Sequence, residues 1–363
     1  MDAQSILIAG GYGVVGSRIA ADLASDYPGR VVVAGRHGDQ ADAMAAAIGR
    51  GARGRELDVH VPSSIARAMD DVAVVVSCID QPERGLMRAA IERGVRYTDI
   101  TPHLAELGRH SRYERIDAAA RASGAVILLG AGLVPGISNV MVRALADTLG
   151  GADTIETSLL LSADDVAGPA SFDYFLNELA MTFDLHTQGT DKVTRAFVRP
   201  RVVEFPSPIP PHRAYLFPFS DQVLYPRTMN AQTVLSRLAL DPQRMEQLLA
   251  FLVDTRIASV LWWEPLRRAL VRLRGKRPPS QGAPFALRVD VTKDGSSRTA
   301  TLVGPVQADA TATGAAALAR ALVEREVETP GAWMPEQVID TARFFARLAQ
   351  RGSTVQLVPP APR

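Results

Sequence analysis

Ser5-Ile6-Leu7-Ile8-Ala9-Gly10-Gly11-Tyr12-Gly13-Val14-Val15-Gly16 is the stretch whose reading decides the fold. Ile6 to Ala9 is an apolar run long enough for a buried strand and too short for a helix. It stops at a glycine cluster, an alanine-rich helical pattern follows from Ser17 to Leu23, and Val31-Val32-Val33-Ala34 supplies a second apolar run. Strand, glycine turn, helix and strand form the context in which Gly11-x-Gly13-x-x-Gly16 reads as a dinucleotide-binding fingerprint and not as glycines serving geometry alone. On that reading Gly11 permits the tight turn, Gly13 lets the backbone approach a pyrophosphate, and Gly16 lets the helix pack closely on the strand. The phosphates sit at the positive helix end, bonded by its free N–H groups, with Tyr12, Val14 and Val15 filling the variable positions of the loop.

The exit of the second strand, Val33-Ala34-Gly35-Arg36-His37, bears on which dinucleotide. An NAD-type site places Asp or Glu there for the ribose 2′-hydroxyl, whereas an NADP-type site removes that charge and offers Arg. Here the acidic position is small and Arg36 follows, able to clamp a 2′-phosphate through paired charge-assisted bonds. The reading favours NADP(H), against the alternative of a solvated loop arginine. Arg55 to Val59 reads as a third strand, and Asp58 with Val59 would then lie near the adenine. Asp58 serves equally well as a cap for the helix beginning near Pro62. Val72 to Ser77 is a fourth strand, nearly all valine, as a parallel strand buried on both faces should be. Its exit, Cys78 and Ile79, is expected over the cofactor, with Cys78 a small buried residue in preference to a nucleophile.

A helix over Glu83 to Arg93 and a fifth strand over Val95 to Ile100 follow, then a helix near Ala105 to Ser123 and a sixth strand over Ala125 to Leu129. This alternation argues for a right-handed, doubly wound α/β sheet. Tyr97, Asp99 and His103, at and just past the fifth strand, are the candidate proton donors. His103 titrates nearest neutrality, although a lone histidine after a proline is more often a bystander. Gly130 to Asn139 is a glycine-rich strand exit running into a helix over Asn139 to Leu149. Its glycines suggest close backbone approach to a ligand, making Gly132, Val134, Pro135 and Gly136 candidate substrate contacts, although a capped helix also accounts for them.

From Thr154 the pattern becomes that of an α+β second domain. Strands are expected over Ile155–Leu161, Met229–Leu240, Phe285–Val291 and Thr299–Val303, with a turn at Asp294-Gly295. A helix over Ser171–Asp184, a hairpin over Val193–Phe205 and a helical stretch over Asp241–Arg274 complete it. Asp221, Arg237 and His212 are its weak candidates for substrate contact. A helix over Thr313–Glu328, a stiff turn over Thr329–Glu336 and a last helix over Gln337–Gln350 should return to the first domain. The expected division is 1–150, 151–312 and 313–363. A net charge of +1 over 363 residues gives no reason to expect nucleic acid, and the lone Cys78 excludes an internal disulfide. No metal is expected. The tract from Leu248 to Trp263 holds Asp254 and Arg256 and is a poor membrane span. With no basic n-region or cleavage site at the N-terminus, the expectation is a soluble cytoplasmic protein. The arginine-rich end of the Asp241–Arg274 stretch, beside Trp262 and Trp263, reads as a docking face or as a solvated helix face and linker.

The fingerprint Gly10-Gly11-Tyr12-Gly13-x-x-Gly16, the Ala34-Gly35-Arg36 exit, Tyr97-Thr98-Asp99, Gly132-Leu133-Val134-Pro135-Gly136 and Pro330-Gly331-Ala332-Trp333-Met334-Pro335 together resemble the saccharopine dehydrogenase/reductase-like family. The resemblance implies a Rossmann domain, an α/β substrate and dimerisation domain, a homodimer, and nicotinamide-dependent redox chemistry on a small metabolite. One residue departs from the reductase branch, which carries an acid in the Gly-Leu-x-Pro-Gly loop where this chain has Val134. The expected reaction is therefore hydride transfer to or from a C=N, C=O or C=C bond. The alternatives are a carrier- or lipid-linked substrate, or a non-catalytic NADP(H)-binding protein.

Overall fold

The computed structural model describes residues 4–79, 81, 84–100, 110–162, 175–176, 178–179, 181–255, 264–265, 268, 272 and 284–358. The chain forms two compact units, 1–140 with 308–351, and 141–307 with 352–363. The divisions fall at 140/141, 307/308 and 351/352, against the expected 150/151 and 312/313.

The first unit alternates β1 (Ser5–Ala9), α1 (Val14–Asp26), β2 (Val31–Gly35), α2 (Gly38–Ile48), β3 (Arg53–Glu56), α3 (Pro62–Ala68), β4 (Val72–Ser77), α4 (Gly85–Glu92), β5 (Arg96–Asp99), α5 (His110–Ser123) and β6 (Val126–Leu128), and α6 (Ile137–Leu149) runs across the 140/141 division. Every residue of β1 and β2 is buried, which a parallel strand covered on both faces demands and a Val/Ile/Leu run satisfies. The strands are parallel, in the order 3-2-1-4-5-6, a Rossmann arrangement extended by one further strand beyond β6. The order reverses between β1 and β4, and ligands of such sheets bind beyond the strand ends at that point.

The second unit is built on a mixed sheet of β7 (Thr154–Ser162), β10 (Arg201–Val203), β11 (His212–Leu216), β12 (Thr233–Asp241), β13 (Phe285–Lys293), β14 (Ser296–Gly304) and β16 (Gln356–Val358). Strands β7 and β12 pair in parallel, and the other neighbours are antiparallel. A separate hairpin joins β8 (Thr182–Thr187) to β9 (Thr190–Arg195). The unit also holds α7 (Asp221–Thr228) and α8 (Gln243–Asp254). The segment returning to the first unit carries α9 (Gln307–Val323), β15 (Gly331–Trp333), α10 (Pro335–Val338) and α11 (Thr341–Gln350).

Several sequence-based expectations are corrected. The third strand is Arg53–Glu56, so Asp58 and Val59 lie past it; a polar edge strand offers no apolar run by which to place it. The expected helix over Ser171–Asp184 cannot reach Asp184, because Thr182 opens β8. Phe175, Leu176 and Leu179 are buried, and Phe172 lies outside the described residues. The hairpin expected over Val193–Phe205 instead turns at Gln188-Gly189, both with positive φ (52° and 71°), and β10 pairs with β11. The stiff turn over Thr329–Glu336 contains β15, which adds to β6. Trp262, Trp263, Arg267, Arg274, Lys276 and Arg277 lie outside the described residues. No helix among the described residues is long and apolar enough to cross a membrane.

Candidate functional site

The glycine turn after β1 lies at the switch point. Its positive φ (+78°) belongs to Gly10, not to Gly11, which moves the tight turn back by one residue. A Cβ on Gly11 would stand 2.8 Å from the Ile8 carbonyl and 3.0 Å from Val33 Cγ1, so Gly11 is there for packing against β2. A Cβ on Gly16 would meet the Gly10 carbonyl oxygen at 2.2 Å, and this sets how closely α1 approaches the strand exit. Gly13 is the N-cap residue, and its N–H donates to the Gly10 carbonyl at 2.9 Å. No side chain caps α1, and its first turn holds no acid. The positive end of α1 is therefore left to solvent or to an anion, beside a 44% exposed Val14. Val15 is half-buried.

At the exit of β2, Arg36 is exposed. Tyr12 is half-buried and crosses from the β1 turn to the β2 exit, where its hydroxyl accepts the His37 N–H at 3.4 Å. Asp58 makes a local turn: its carboxylate accepts the His60 N–H at 2.9 Å, and its own N–H donates to Ser64 Oγ at 3.0 Å. The N-cap residue of α3 is Val61, with no side-chain cap. Val59 is half-buried beside this turn.

The exits of β4, β5 and β6 are joined by a buried polar network. Gln81 Nε2 donates to Ser77 Oγ at 2.8 Å and to the Tyr97 hydroxyl at 3.5 Å, while Gln81 Oε1 accepts the Leu86 N–H at the start of α4. The Tyr97 hydroxyl donates to Asp99 Oδ2 at 3.3 Å, and the Gly130 N–H approaches Asp99 Oδ1 at 3.4 Å. Arg84 Nη1 lies 3.7 Å from Asp99 Oδ2. Tyr97 and Asp99 share one face of β5 because strand side chains alternate. Both are buried, at 2% and 3% exposure. Burial first, and the Asp99 charge second, hold the Tyr97 hydroxyl well above its ordinary pKa. The same two causes push the half-buried Cys78 thiol up to about 12. Ile79 Cγ2 packs where a Cβ on Gly10 would be, at 2.6 Å. His103 lies outside the described residues. Gln81 and Arg84 were missed by sequence reading; their only signal was a position just past the fourth strand.

The Gly132–Gly136 loop is folded upon itself. Gly132 and Gly136 form an isolated bridge, and a Cβ on Gly136 (φ +132°) would meet the Gly132 carbonyl at 2.1 Å. The close approach anticipated from these glycines is thus met by the loop's own backbone. Pro135 is buried, and Val134 is the residue of the five that reaches the surface. Asn139 Oδ1 accepts the Gly136 N–H at 2.7 Å, and Asn139 Nδ2 donates to Glu336 Oε2 at 2.7 Å. Glu336 was another omission, since its partner is 197 positions away.

In the second unit, Asp221 is fully buried in α7. The neighbouring Gln222 amide, oriented from its hydrogen bonds, donates to the Val234 carbonyl and accepts the Ser236 N–H, extending the edge of β12 where β11 departs. Arg237 donates Nε to Glu156 Oε1 at 2.5 Å and Nη1 to the Arg199 carbonyl at 2.7 Å, and Arg201 also bonds Glu156. Glu156 and Arg201, with Ser158, Arg288 and Asp290, line a cavity of about 370 Å³. His212 is buried, with Nδ1 2.7 Å from the Pro210 carbonyl.

Residues 6–134 match the family model described as the saccharopine dehydrogenase NADP binding domain. Among solved structures the chain is similar to apo saccharopine dehydrogenase (L-Glu forming) from Saccharomyces cerevisiae, at 15% identity and a TM-score of 0.70, covering 98% of this chain and 100% of that one. It is also similar to amine dehydrogenase from Mycobacterium smegmatis, at 12% identity and a TM-score of 0.52, covering 94% and 97%. At these identities the likeness establishes the fold. No curated protein matches the chain.

Proposed function

We propose that this chain, whose residues 6–134 match the saccharopine dehydrogenase NADP binding domain model, is an NADP(H)-dependent oxidoreductase that moves hydride to or from a C=N, C=O or C=C bond of a small metabolite. The observation that carries this reading is the joint exit of β1 and β2, where an uncapped helix start stands behind a glycine turn and Arg36 is exposed. The residues fit the cofactor. A Cβ on Gly13 would have the Gly10 carbonyl as its one neighbour within 4 Å, leaving room for a pyrophosphate against the backbone.

When bound, the nicotinamide supplies or accepts the hydride. The chain seats the dinucleotide: the Val14 and Val15 N–H groups hold the pyrophosphate, and Arg36 clamps the 2′-phosphate. Tyr97 and Asp99 act as positioning residues in this reading, tying the exits of β4, β5 and β6 together through Gln81, Arg84 and Gly130. With its pKa raised, Tyr97 stays protonated at neutral pH, and its hydroxyl donates a hydrogen bond to Asp99. The likeness to a saccharopine dehydrogenase and to an amine dehydrogenase supports testing C=N substrates first. Val134 in its loop favours a substrate without an ammonium group at that place.

Arg36→Ala should weaken NADPH binding by at least about tenfold, or 1.5–3 kcal/mol, and NADH binding far less. Titration of nicotinamide fluorescence measures both, and equal losses would sink the 2′-phosphate assignment. NADPH oxidation with an imine, ketone or enoyl substrate then establishes turnover. A second reading, a non-catalytic NADP(H)-binding protein, is favoured by the burial of Tyr97 and Asp99 and their bond to each other. Tight NADPH binding without turnover across that panel is its signature.

A further inference from the structure

Gly35 is the last residue of β2, the position at which an NAD-type site carries its ribose-binding carboxylate. Its glycine is not needed for a left-handed backbone, since Gly35 is outside the set of positive-φ glycines. The space beside it is what requires glycine: a Cβ there would stand 2.3 Å from Tyr12 Cε1, 2.7 Å from Cζ and 2.8 Å from the hydroxyl oxygen. The obstacle is the side of an aromatic ring, and the ring's far end is engaged by the His37 N–H at 3.4 Å.

We propose that Tyr12 and Gly35 form a coupled specificity pair, in which the Tyr12 ring fills the place of the NAD-type carboxylate and so selects for NADP(H). The inference rests on the dinucleotide reading above and adds a determinant that charge alone does not give. A side chain at position 35 would have to displace the ring, so the ring in this place stands against the negative charge that would repel a 2′-phosphate. The Tyr12 hydroxyl uses its oxygen to accept from His37 and retains its proton to donate. A phosphate held by Arg36, the residue between Gly35 and His37, is its natural acceptor. Selection would then come from three adjoining parts: a ring that keeps acid out, a guanidinium that binds the dianion, and a hydroxyl that adds one directed bond.

The test is a double-substitution cycle read as dissociation constants for NADPH and NADH, by quenching of nicotinamide fluorescence with the full chain. Tyr12→Phe keeps the ring and should lower the NADPH/NADH affinity ratio by roughly five- to tenfold. Gly35→Asp alone should fail to improve NADH binding, because ring and carboxylate compete for one place. Gly35→Asp combined with Tyr12→Gly should improve NADH binding at least about tenfold over Gly35→Asp alone, with NADPH binding falling. If Gly35→Asp alone binds NADH as well as the double variant does, ring and carboxylate do not compete and the pair is overturned. An unchanged ratio in Tyr12→Phe overturns the hydroxyl's part in phosphate recognition, and Gly35→Ala, which sets only a methyl against the ring, keeps the pairing testable if Gly35→Asp does not fold: it should weaken NADPH binding beside Tyr12 and cost little beside Tyr12→Gly, and equal losses overturn the pair. A wild-type chain that binds neither nucleotide overturns the dinucleotide reading and the inference together. A wild-type chain that prefers NADPH while the substitutions act additively overturns the inference alone.

Discussion

Glu178 shows what burial does to a single carboxyl. It is half-buried beside the buried Leu179 and Leu176, and loss of hydration pushes its pKa up to about 7. In the unfolded chain it ionises near 4.5. Between those values the folded state holds a proton that the unfolded state releases, so the stability contribution is complete below 4.5 and is lost as pH rises through about 7. Glu178→Gln removes this titration. The variant's melting temperature should gain on the wild type from about pH 4.5 upward and run parallel to it above about pH 7. A difference that does not change with pH would show that the carboxyl is not shifted. Nothing in the local sequence announces this behaviour, because it comes from what covers the helical turn. The candidate site divides in the same way. Gly10 to Gly16, Arg36, Tyr97 and Asp99 were found because a motif or a strand end marks them, whereas Gln81, Arg84 and Glu336 act through partners brought in by the fold.

At the scale of elements, the Gly132–Gly136 loop is a small backbone knot whose geometry allows no side chain at Gly136. Its φ of +132° already disfavours other residues, and a Cβ would lie 2.1 Å and 2.6 Å from the Gly132 oxygen and nitrogen. Gly136→Ala should therefore destabilise the chain by about 2–4 kcal/mol in urea unfolding. A cost under 1 kcal/mol would mean that the loop opens readily. How legible an element was depended on the kind of face it buries. β1, β2 and β4 are buried apolar runs and were placed to within one residue. β3 alternates charge with glycine at a sheet edge, and β15 is three residues after a proline, so neither carries the apolar period by which strands are recognised. The β8–β9 hairpin turns on Gln188, a residue without strong preference for positive φ, and the sequence signal there fell to Gly189 alone.

At the scale of the whole molecule, the first unit is completed by chain from its far end. The Gly331 N–H donates to the Ala125 carbonyl, the Leu129 N–H to the Trp333 carbonyl, and the Tyr113 hydroxyl to the Ala332 carbonyl at 2.6 Å. A second attachment is ionic and lies along α1, the helix whose other end forms the proposed phosphate cradle. Arg320 on α9, 5% exposed, donates to Asp26 at 2.6 Å and through both terminal nitrogens to Asp22 at 3.0 and 3.1 Å. Arg351 reaches the same two acids. Burial raises the Asp26 pKa, but the bonds and charges of Arg320 and Arg351 outweigh it and hold the carboxyl below its ordinary 3.8. A carboxyl with a depressed folded pKa contributes stability that is present above the unfolded value and lost as pH falls through the folded one. Arg320→Met keeps much of the side-chain volume and removes the charge. Because Arg351 remains and Asp26 is partly exposed, the cost should lie near the lower end of that for breaking a buried pair, about 3 kcal/mol. The acid limb of the stability curve should also move upward toward pH 3.8 as Asp26 loses one of its two arginines. Urea unfolding at pH 7 and a series of melting temperatures from pH 3 to 6 measure the two effects separately. If the midpoint at pH 7 is unchanged, the cluster contributes no more than a solvated surface pair, and β15 with its neighbours carries the closure of the unit by itself.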